Sequence, residues 1–247
     1  MFRTNYSVQL LLFSFFLVAI PFDSISQSKN KEFVVILDAG HGGKDSGNTG
    51  NNYSEKDIAL SIVLKIGKQL EKYDDLDVIY TRKKDVFIPL DRRAEIANKA
   101  SADLFVSIHC NGVNNSSPSG TETFILGLHR NKDNLEIAMK ENSVIKFEDN
   151  YEVKYDGFDP DSPESYIGFT IMQEEFLDQS ALLANFVQKQ FQSTLKMKNR
   201  GVKQAGFLVL RETYMPSVLI ETGFLTNNTE GAFLNSNSGE DQLADAI

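Results

Sequence analysis

Four side chains that can bind a metal or transfer a proton occupy corresponding places in the predicted fold, although they are far apart in the sequence. His41 and His109 each end a predicted strand, Glu221 ends another, and Glu55 opens the helix after the first strand. Ligand sites in α/β proteins lie beyond the carboxyl ends of the strands. We therefore expect these four groups to meet at one edge of the sheet.

Two histidines and a glutamate with a fourth position left open are a common ligand set for catalytic zinc. On this interpretation His41, Glu55 and His109 bind the ion, and Glu221 is the general base for a water that the ion activates. The predicted chemistry is hydrolysis of an amide or ester. Each residue also has a structural explanation: the histidines can simply pack, Glu55 can stabilise the helix dipole, and Glu221 can pair with Arg211. The predicted position of all four residues at one edge of the sheet favours the zinc interpretation.

The first histidine follows an apolar, β-branched run and lies in a glycine-rich turn, within the stretch VVILDAGHGG at residues 34–43. Glycines beside His41 let the backbone fold closely around whatever the imidazole holds. Taken alone, the stretch is equally consistent with an exposed histidine in a flexible loop.

Strands alternate with helices over the first half of the chain, which predicts βα units and a largely parallel sheet. Strands are predicted over four segments, residues 33–38, 77–82, 103–109 and 121–126. The sequence SEKD from Ser54 resembles a capping box that starts the first helix, and Pro89 starts the second. Two further short strands are predicted at residues 207–210 and 217–221.

The alternation then stops, and residues 128–175 are interpreted as an insertion rather than a second domain. Residues 130–145 have a helical pattern, whereas residues 147–165 are acidic and are broken by Pro160 and Pro163. We expect few apolar residues to anchor this stretch, so that it opens easily. A connection of this length is more often functional or mobile than structural.

Three further expectations concern the second half. His129 lies in the insertion, where we expect it to be exposed, and a long helix is predicted from about residue 165 to residue 197. The sequence ends at Ile247 within a helical pattern that has no stop signal. We therefore expect that the C-terminus is truncated.

Composition narrows the classes of partner and cofactor. Acidic residues outnumber basic residues by 34 to 25, and the formal charge is −9. A nucleic-acid partner, which favours a basic face, is therefore not expected. Cys110 is the single cysteine, which excludes an intrachain disulfide and any multi-cysteine zinc site.

The N-terminus has the layout of a secretory signal peptide. Arg3 precedes an apolar run over residues 8–21, and small and polar residues follow. Because a membrane span needs about 20 apolar residues, we expect residues 1–27 to be removed, with an uncleaved anchor as the alternative. Residues 28–247 would then form a catalytic domain that works outside the cytoplasm, with no stable membrane span.

From about residue 33 to residue 247, the sequence resembles the zinc-dependent N-acetylmuramoyl-L-alanine amidases of the Amidase_3 family. The matching pieces are LDAGHGG at residues 37–43, Glu55 opening a helix, Thr81-Arg82 then Asp85, Leu90-x-x-Arg93 then Ala97-Asn98, ADLFVSIH-x-N at residues 102–111, Gly120-x-Glu122, and ETGFLTN at residues 221–227. Their order and number make the resemblance specific.

The resemblance implies His41, Glu55 and His109 as zinc ligands and Glu221 as the catalytic glutamate. It implies an α/β fold, with a mixed, largely parallel sheet of about six strands flanked by helices and an insertion after the fourth strand. Family members cleave the amide between the lactyl group of N-acetylmuramic acid and L-alanine in peptidoglycan. The implied role is cell-wall remodelling and daughter-cell separation.

Relatives that act in cell separation carry a long insertion whose helix can cover the metal. Glu141-Asn142 lies where those relatives have a Glu-Asn pair, so Glu141 is a candidate fourth metal contact, productive or inhibitory. A solvated glutamate on a helix face is the alternative. An extracytoplasmic activator that binds the open form is the partner that this arrangement implies.

Three other residues belong to the matching pieces or depart from them. Cys110 stands where a small residue such as alanine is usual, and alternation along the strand predicts that it packs in the core. Asn111 shares the face of His109 and could orient substrate or the loop. Arg93 is expected to hold its helix against the sheet.

Two other functions stay open from the sequence. One is a zinc peptidase or deacetylase that acts on another wall component. The other is a wall-binding module that keeps the fold without catalysis, and the presence of all four metal and base residues argues against it.

Overall fold

A six-stranded mixed sheet forms the centre of this computed structural model, which describes residues 32–128, 131–170 and 176–247. In chain order the described strands are β1 (Phe33–Ala39), β2 (Thr49–Gly50), β3 (Tyr53–Ser54), β4 (Leu76–Tyr80), β5 (Leu104–Asn111), β6 (Thr121–Leu126), β7 (Asn199–Ala205) and β8 (Ser217–Phe224). The sheet order is β4-β1-β5-β8-β6-β7, and β2 pairs separately with β3. Within the sheet only β6 and β8 pair antiparallel. The predicted fold class is confirmed.

Helices cover both faces of the sheet. The described residues include α1 (Glu55–Leu70), α2 (Leu90–Lys99), α3 (Lys132–Asn142), α4 (Tyr151–Lys154), α5 (Leu177–Thr194), α6 (Leu208–Arg211), α7 (Asn228–Leu234) and α8 (Asn237–Ala246). Alternate side chains of β1 enter different cores: Val35 and Leu37 pack with α1, α5 and α8, whereas Ile36 packs with α2, α6 and the insertion. Burial of both faces explains why the central strands read as continuous apolar runs.

Helix α1 begins at Glu55 as predicted, but the capping-box prediction is wrong because the Ser54 side chain makes no capping hydrogen bond. The first two helical amides instead donate to the loop after β1. The amide of Glu55 bonds the Asn48 carbonyl at 2.9 Å, and that of Lys56 bonds the Ser46 carbonyl at 3.2 Å. The loop thus satisfies amides that lack partners within the helix.

Two predictions for the second half are wrong. Residues 207–210 contribute to α6 instead of a strand, and the neighbouring strand β7, which was not predicted, has the polar sequence NRGVKQA. The predicted long helix begins at Leu177, and a 3₁₀ helix occupies Pro163–Thr170. The edge position of β7 explains its polar sequence, because much of it stays partly exposed.

The insertion follows β6, the fourth strand of the sheet in chain order, as predicted. The expectation that residues 147–165 have few apolar anchors is wrong, since Tyr155 and Phe158 within this stretch are buried in the same core as α2 and α6. Ile145 and Tyr166, on either side of it, are buried there as well. Asn142 fastens it further, since its amide donates to the Gly206 carbonyl at 2.7 Å and accepts from the Leu208 amide at 2.9 Å.

None of the helices in these described ranges has the length and apolar character needed to cross a membrane. The predicted signal peptide, residues 1–27, and His129 lie outside the described residues.

Candidate metal centre

His41, Glu55, His109 and Glu141 form a buried cluster at the predicted sheet edge. One ligand atom from each of them lies within 4.8 Å of the others. The strand order explains the convergence, because β1 and β5 are neighbours and α1 follows β1 directly. The structure thus brings together the three predicted metal ligands and the candidate fourth contact.

His41 is held in a tight turn just after β1. Its backbone is left-handed, with φ of 59°, a conformation uncommon outside glycine and tolerated here by the surrounding turn. The imidazole Nδ1 donates to Asp45 Oδ2 at 2.7 Å, which leaves Nε2 facing the cluster. A carboxylate behind a ligating histidine fixes the ring and its tautomer. Gly47 packs against this ring, where a Cβ atom would lie 2.5 Å from His41 Cδ2.

Glu55 is fully buried, and its two oxygens have different partners. Oε2 accepts from the backbone and side-chain amides of Asn48, both at 2.8 Å. Oε1 accepts from the Cys110 amide at 2.8 Å and lies 3.2 Å from His41 Nε2. The carboxylate is therefore oriented by neutral donors, while Oε1 faces the cluster.

His109 presents Nδ1 to the cluster, 3.0 Å from Glu55 Oε1. Its ring lies directly against Gly40, where an added Cβ atom would come within 2.5 Å of the imidazole. Gly40 therefore leaves the space that this ring occupies. The interpretation of His41 as an exposed loop histidine is wrong, since His41 and His109 are 8% and 6% exposed.

Glu141 reaches the cluster from α3. Its Oε2 atom lies 3.1 Å from His41 Nε2 and 3.2 Å from His109 Nδ1, yet it has no hydrogen-bond partner. The alternative of a solvated glutamate is wrong, since the Glu141 side chain is 7% exposed.

Glu221 lies on β8 beside the cluster. In the sheet its backbone is level with His109 on one side and with Glu122 on the other. Its Oε2 atom is buried without a hydrogen-bond partner. Burial, with the carboxylates of Glu55 and Glu141, raises the pKa of Glu221 well above its ordinary value. The alternative pairing of Glu221 with Arg211 is not observed, and Arg211 bonds Glu212.

Protonation of the imidazoles is controlled by the same carboxylates. Burial alone would lower the pKa of both histidines. Glu55 and Glu141 outweigh burial, raising the pKa of His41 well above its ordinary value and that of His109 to about 10. A cation bound in the cluster would therefore compete with protons for the imidazole nitrogens.

The residues fit a divalent cation. Two of the cluster's ligand atoms, His41 Nε2 and Glu141 Oε2, are buried without hydrogen-bond partners although they face one another. An unpaired buried polar atom is costly, and a cation between these atoms would satisfy both. A donor set of imidazole nitrogens and carboxylate oxygens is one that metal ions bind commonly.

A buried ion pair between Arg93 and Asp38 stabilises the turn that contains His41. Arg93 of α2 donates to Asp38 Oδ1 at 2.7 Å and to the His41 carbonyl at 2.7 Å. Asp38 also accepts from Thr81 and Ser107, both at 2.6 Å. Arg93 thus holds its helix against the sheet, as predicted.

Sequence reasoning missed Asp45 and Asn48, which orient the ligands. A carboxylate four residues after His41 was a usable signal for the first. For Asn48 the sequence contains no such signal, because the role of this residue depends on how the loop returns to α1.

Cys110 packs in the apolar core, as predicted, with its thiol 3.3 Å from the Thr222 hydroxyl. Asn111 donates to Glu122 Oε1 at 2.7 Å.

Comparison with known proteins is consistent with this geometry. The Amidase_3 family model, described as N-acetylmuramoyl-L-alanine amidase, matches residues 35–247. The chain is 34% identical to N-acetylmuramoyl-L-alanine amidase AmiA from Escherichia coli K12 over 215 residues, which cover 87% of this chain and 73% of that protein.

Two solved structures resemble the chain. The crystal structure of an N-acetylmuramoyl-L-alanine amidase from Clostridium difficile 630 has a TM-score of 0.66 at 31% identity, covering 88% of this chain and 93% of that one. The CwlD amidase from Clostridioides difficile, solved in complex with the GerS lipoprotein, has a TM-score of 0.62 at 27% identity, covering 87% and 93%.

Proposed function

Because the chain belongs to the Amidase_3 family of N-acetylmuramoyl-L-alanine amidases, we propose that it hydrolyses the amide between N-acetylmuramic acid and L-alanine in peptidoglycan, with zinc as the bound ion. The observation that carries the proposal is the buried His-Glu-His cluster beside a carboxylate oxygen of Glu221 that has no partner.

Three residues would hold the zinc ion: His41 through Nε2, Glu55 through Oε1 and His109 through Nδ1. These atoms face one another, and Asp45 and Asn48 orient the first two side chains. When bound, zinc supplies Lewis-acid chemistry that polarises a carbonyl and acidifies water.

Glu221 is proposed as the general base. Its carboxylate would take a proton from the attacking water and pass it to the leaving nitrogen of L-alanine. Burial and the neighbouring carboxylates raise the pKa of Glu221, and perturbed carboxyl groups of this kind are common among catalytic acids and bases. The buried setting also limits competition from bulk water.

Helix α3 is proposed to restrain this activity. Glu141 Oε2 lies 3.1 Å and 3.2 Å from the two imidazole nitrogens that would hold the ion, so it would take a ligand position that a substrate carbonyl needs. An activator that binds a form with α3 displaced would raise the population of the open site. The complex of the CwlD amidase with a lipoprotein is a precedent for a partner protein.

The enzyme is proposed to work outside the cytoplasm, in the periplasm or at the wall. The signal-like sequence at residues 1–27 supports this location, as does a substrate found in the wall. Its role would be wall remodelling and separation of daughter cells.

The test combines metal analysis with product identification. Purified protein should contain about one zinc per chain, and His41→Ala or His109→Ala should release it and abolish activity. Digestion of purified peptidoglycan should produce peptides with a free L-alanine amino terminus and intact glycan. Released acetate or cleaved stem peptides would instead indicate a deacetylase or peptidase. Wall binding by zinc-loaded protein without any product would indicate a binding module.

A further inference from the structure

A groove of about 580 Å³ adjoins the candidate metal centre and is not used by the mechanism above. Asn111 and Gly112 at the end of β5 line it, as do Glu122, Arg200 and Lys203 on β6 and β7. Asn111 lies two residues after His109, and Glu122 is level with Glu221 across the sheet. Two of the groove's lining residues, Asn111 and Glu122, are therefore close neighbours in the sheet of a predicted ligand and of the proposed base.

Two cationic side chains that line this groove are hydrogen-bonded to one buried carboxylate. Glu122 is fully buried, and its Oε2 atom accepts from Arg200 Nε at 2.9 Å and also from Lys203 Nζ. Its Oε1 atom accepts from Asn111. One carboxylate between a guanidinium and an ammonium leaves one positive charge in excess.

Both cations still face solvent. The side chains of Arg200 and Lys203 are 27% and 18% exposed, against 0% for Glu122. A guanidinium has five N–H donors and an ammonium three, so the bonds to Glu122 leave donors for a ligand. Glu122 thus fixes the two cations in place without using all of their donors.

The other charged groups of the groove come from the insertion. Asp133, Glu136 and Lys140 of α3 form its opposite side, and Lys140 donates to the Gly112 carbonyl at 3.0 Å. These three groups move with α3 if that helix is displaced. Arg200 and Lys203 belong to the sheet, so their excess positive charge stays beside the reacting groups.

The proposed substrate offers a matching anion on the peptide side of the scissile amide. A stem peptide continues from L-alanine to an acidic residue linked through its side chain, which leaves an α-carboxylate free. In some walls the same group is a carboxamide. Guanidinium and ammonium groups bind carboxylates through charge-assisted hydrogen bonds, which are stronger than bonds to a neutral amide.

We infer that Arg200 and Lys203, positioned by Glu122, bind the free carboxylate of the stem peptide and make the enzyme prefer carboxylate-bearing over amidated substrates. This inference rests on the proposed function. It assigns specificity to a part of the sheet that lies outside the metal cluster and the catalytic glutamate.

The test uses two synthetic muramyl peptides that differ only in this group, carboxylate or carboxamide, with zinc-loaded full-length enzyme. We expect kcat/KM to favour the carboxylate about 10- to 100-fold, the equivalent of one hydrogen bond to a charged group. Arg200→Gln and Lys203→Gln should remove most of this preference by raising KM for the carboxylate substrate. Lys203→Arg should retain it. Lys198→Gln, an equal charge change at an exposed residue next to β7, should leave both rates unaltered.

Equal kcat/KM for the two substrates in the wild type would overturn the inference and leave the proposed function intact. An equal loss on both substrates in the Gln variants would also overturn it, because that result indicates a structural role for the two cations. If neither substrate is cleaved, the proposed function fails, and the dissociation constants of both compounds decide the inference: equal values overturn it.

Discussion

His41 meets several requirements at once. Its left-handed backbone turns the chain back towards α1, its Nδ1 bonds Asp45, and its Nε2 faces the other ligands. The neighbouring Gly40 and Gly47 leave room for the two imidazole rings. Strain in the turn is tolerated because Arg93 and Arg82 bond its carbonyls.

Zinc binding should release protons. In the metal-free protein Glu55 and Glu141 raise the pKa of His41 and of His109 and so favour the protonated imidazoles, whereas a ligating imidazole must be neutral. Calorimetry at pH 7 in buffers of different ionisation enthalpy should therefore report about two protons released per ion, or more. Affinity should fall as the pH falls, about tenfold per proton for each pH unit. A binding enthalpy that does not depend on the buffer would contradict this prediction.

Replacement of Glu221 by glutamine should separate metal binding from catalysis. Glu221→Gln keeps the shape and removes the proton acceptor, so turnover should fall roughly 10²- to 10⁴-fold while the zinc content stays at the wild-type level. Glu152→Gln, an exposed change on α4, is the control. Near-normal turnover in Glu221→Gln would assign the base role elsewhere, with Glu141 as the next candidate.

Most of the individual residues of the candidate site were predicted from the sequence. The three predicted ligands, Glu221 and Glu141 all lie at one edge of the sheet. Their roles stay predictions until the experiments above are done. Asn48 and Asp38 were not predicted, because short polar residues in loops and at strand ends have many equivalent structural uses.

Among the elements, α2 supports the metal site without contributing to it. Its Arg93 forms a fully buried ion pair with Asp38 and also bonds the carbonyls of Ala39 and His41. Arg82, from the segment after β4, bonds the carbonyls of Ala39 and Gly40. Two arginines thus hold the backbone of the turn from which His41 projects.

Asp38→Asn should destabilise the protein by about 3 kcal/mol, because it leaves Arg93 buried without its counter-charge. Burial alone would raise the pKa of Asp38, but Arg93, Ser107 and Thr81 lower it overall. Its contribution to stability is thus present above the ordinary carboxyl pKa and is lost as the pH falls through the lower folded-state value. Urea unfolding at several pH values measures both effects.

The control for Asp38→Asn is Glu95→Gln, the same chemical change in an exposed ion pair on α2, which should change stability little. An equally small effect of Asp38→Asn would show that the hydroxyls of Thr81 and Ser107 compensate for the lost charge.

Helix α3 can be tested by one substitution. Glu141→Ala removes the carboxylate from the cluster, and loss of one charged contact should raise the open population and the hydrolysis rate roughly 10- to 100-fold. Wall digestion by zinc-loaded enzymes is the measurement, and Glu152→Ala is the control within the insertion. A folded, zinc-loaded but slower Glu141→Ala enzyme would indicate a productive role for Glu141. A point change is preferable to deletion, because the insertion completes a core with Tyr155 and Tyr166.

Elements with weak periodicity are the ones that the sequence does not predict. Strand β7 is polar because it pairs at the sheet edge, and α6 is a single apolar turn buried among larger elements. Burial of the insertion's tyrosines was not predicted, because the residues around them in the sequence are acidic. Tertiary packing, which local patterns do not report, decides such segments.

For the whole molecule, the order of the strands determines where chemistry is possible. The neighbouring strands β1, β5 and β8 bring together segments that are far apart in the chain. Apolar runs predicted most of these strands, but their order depends on long-range pairing. The resemblance to a known family supplied the expectation of a six-stranded sheet with an insertion.

The wide separation of the ligands in the chain has a consequence for how the protein obtains its metal. His41 and Glu55, the nearest pair, are joined by a loop and a small hairpin, and His109 and Glu141 come from other segments. An unfolded chain therefore has no preformed site, and binding free energy becomes available only with folding. A chain that crosses a membrane unfolded would carry no ion with it. Its activity would then depend on the metal supply of the compartment in which it folds.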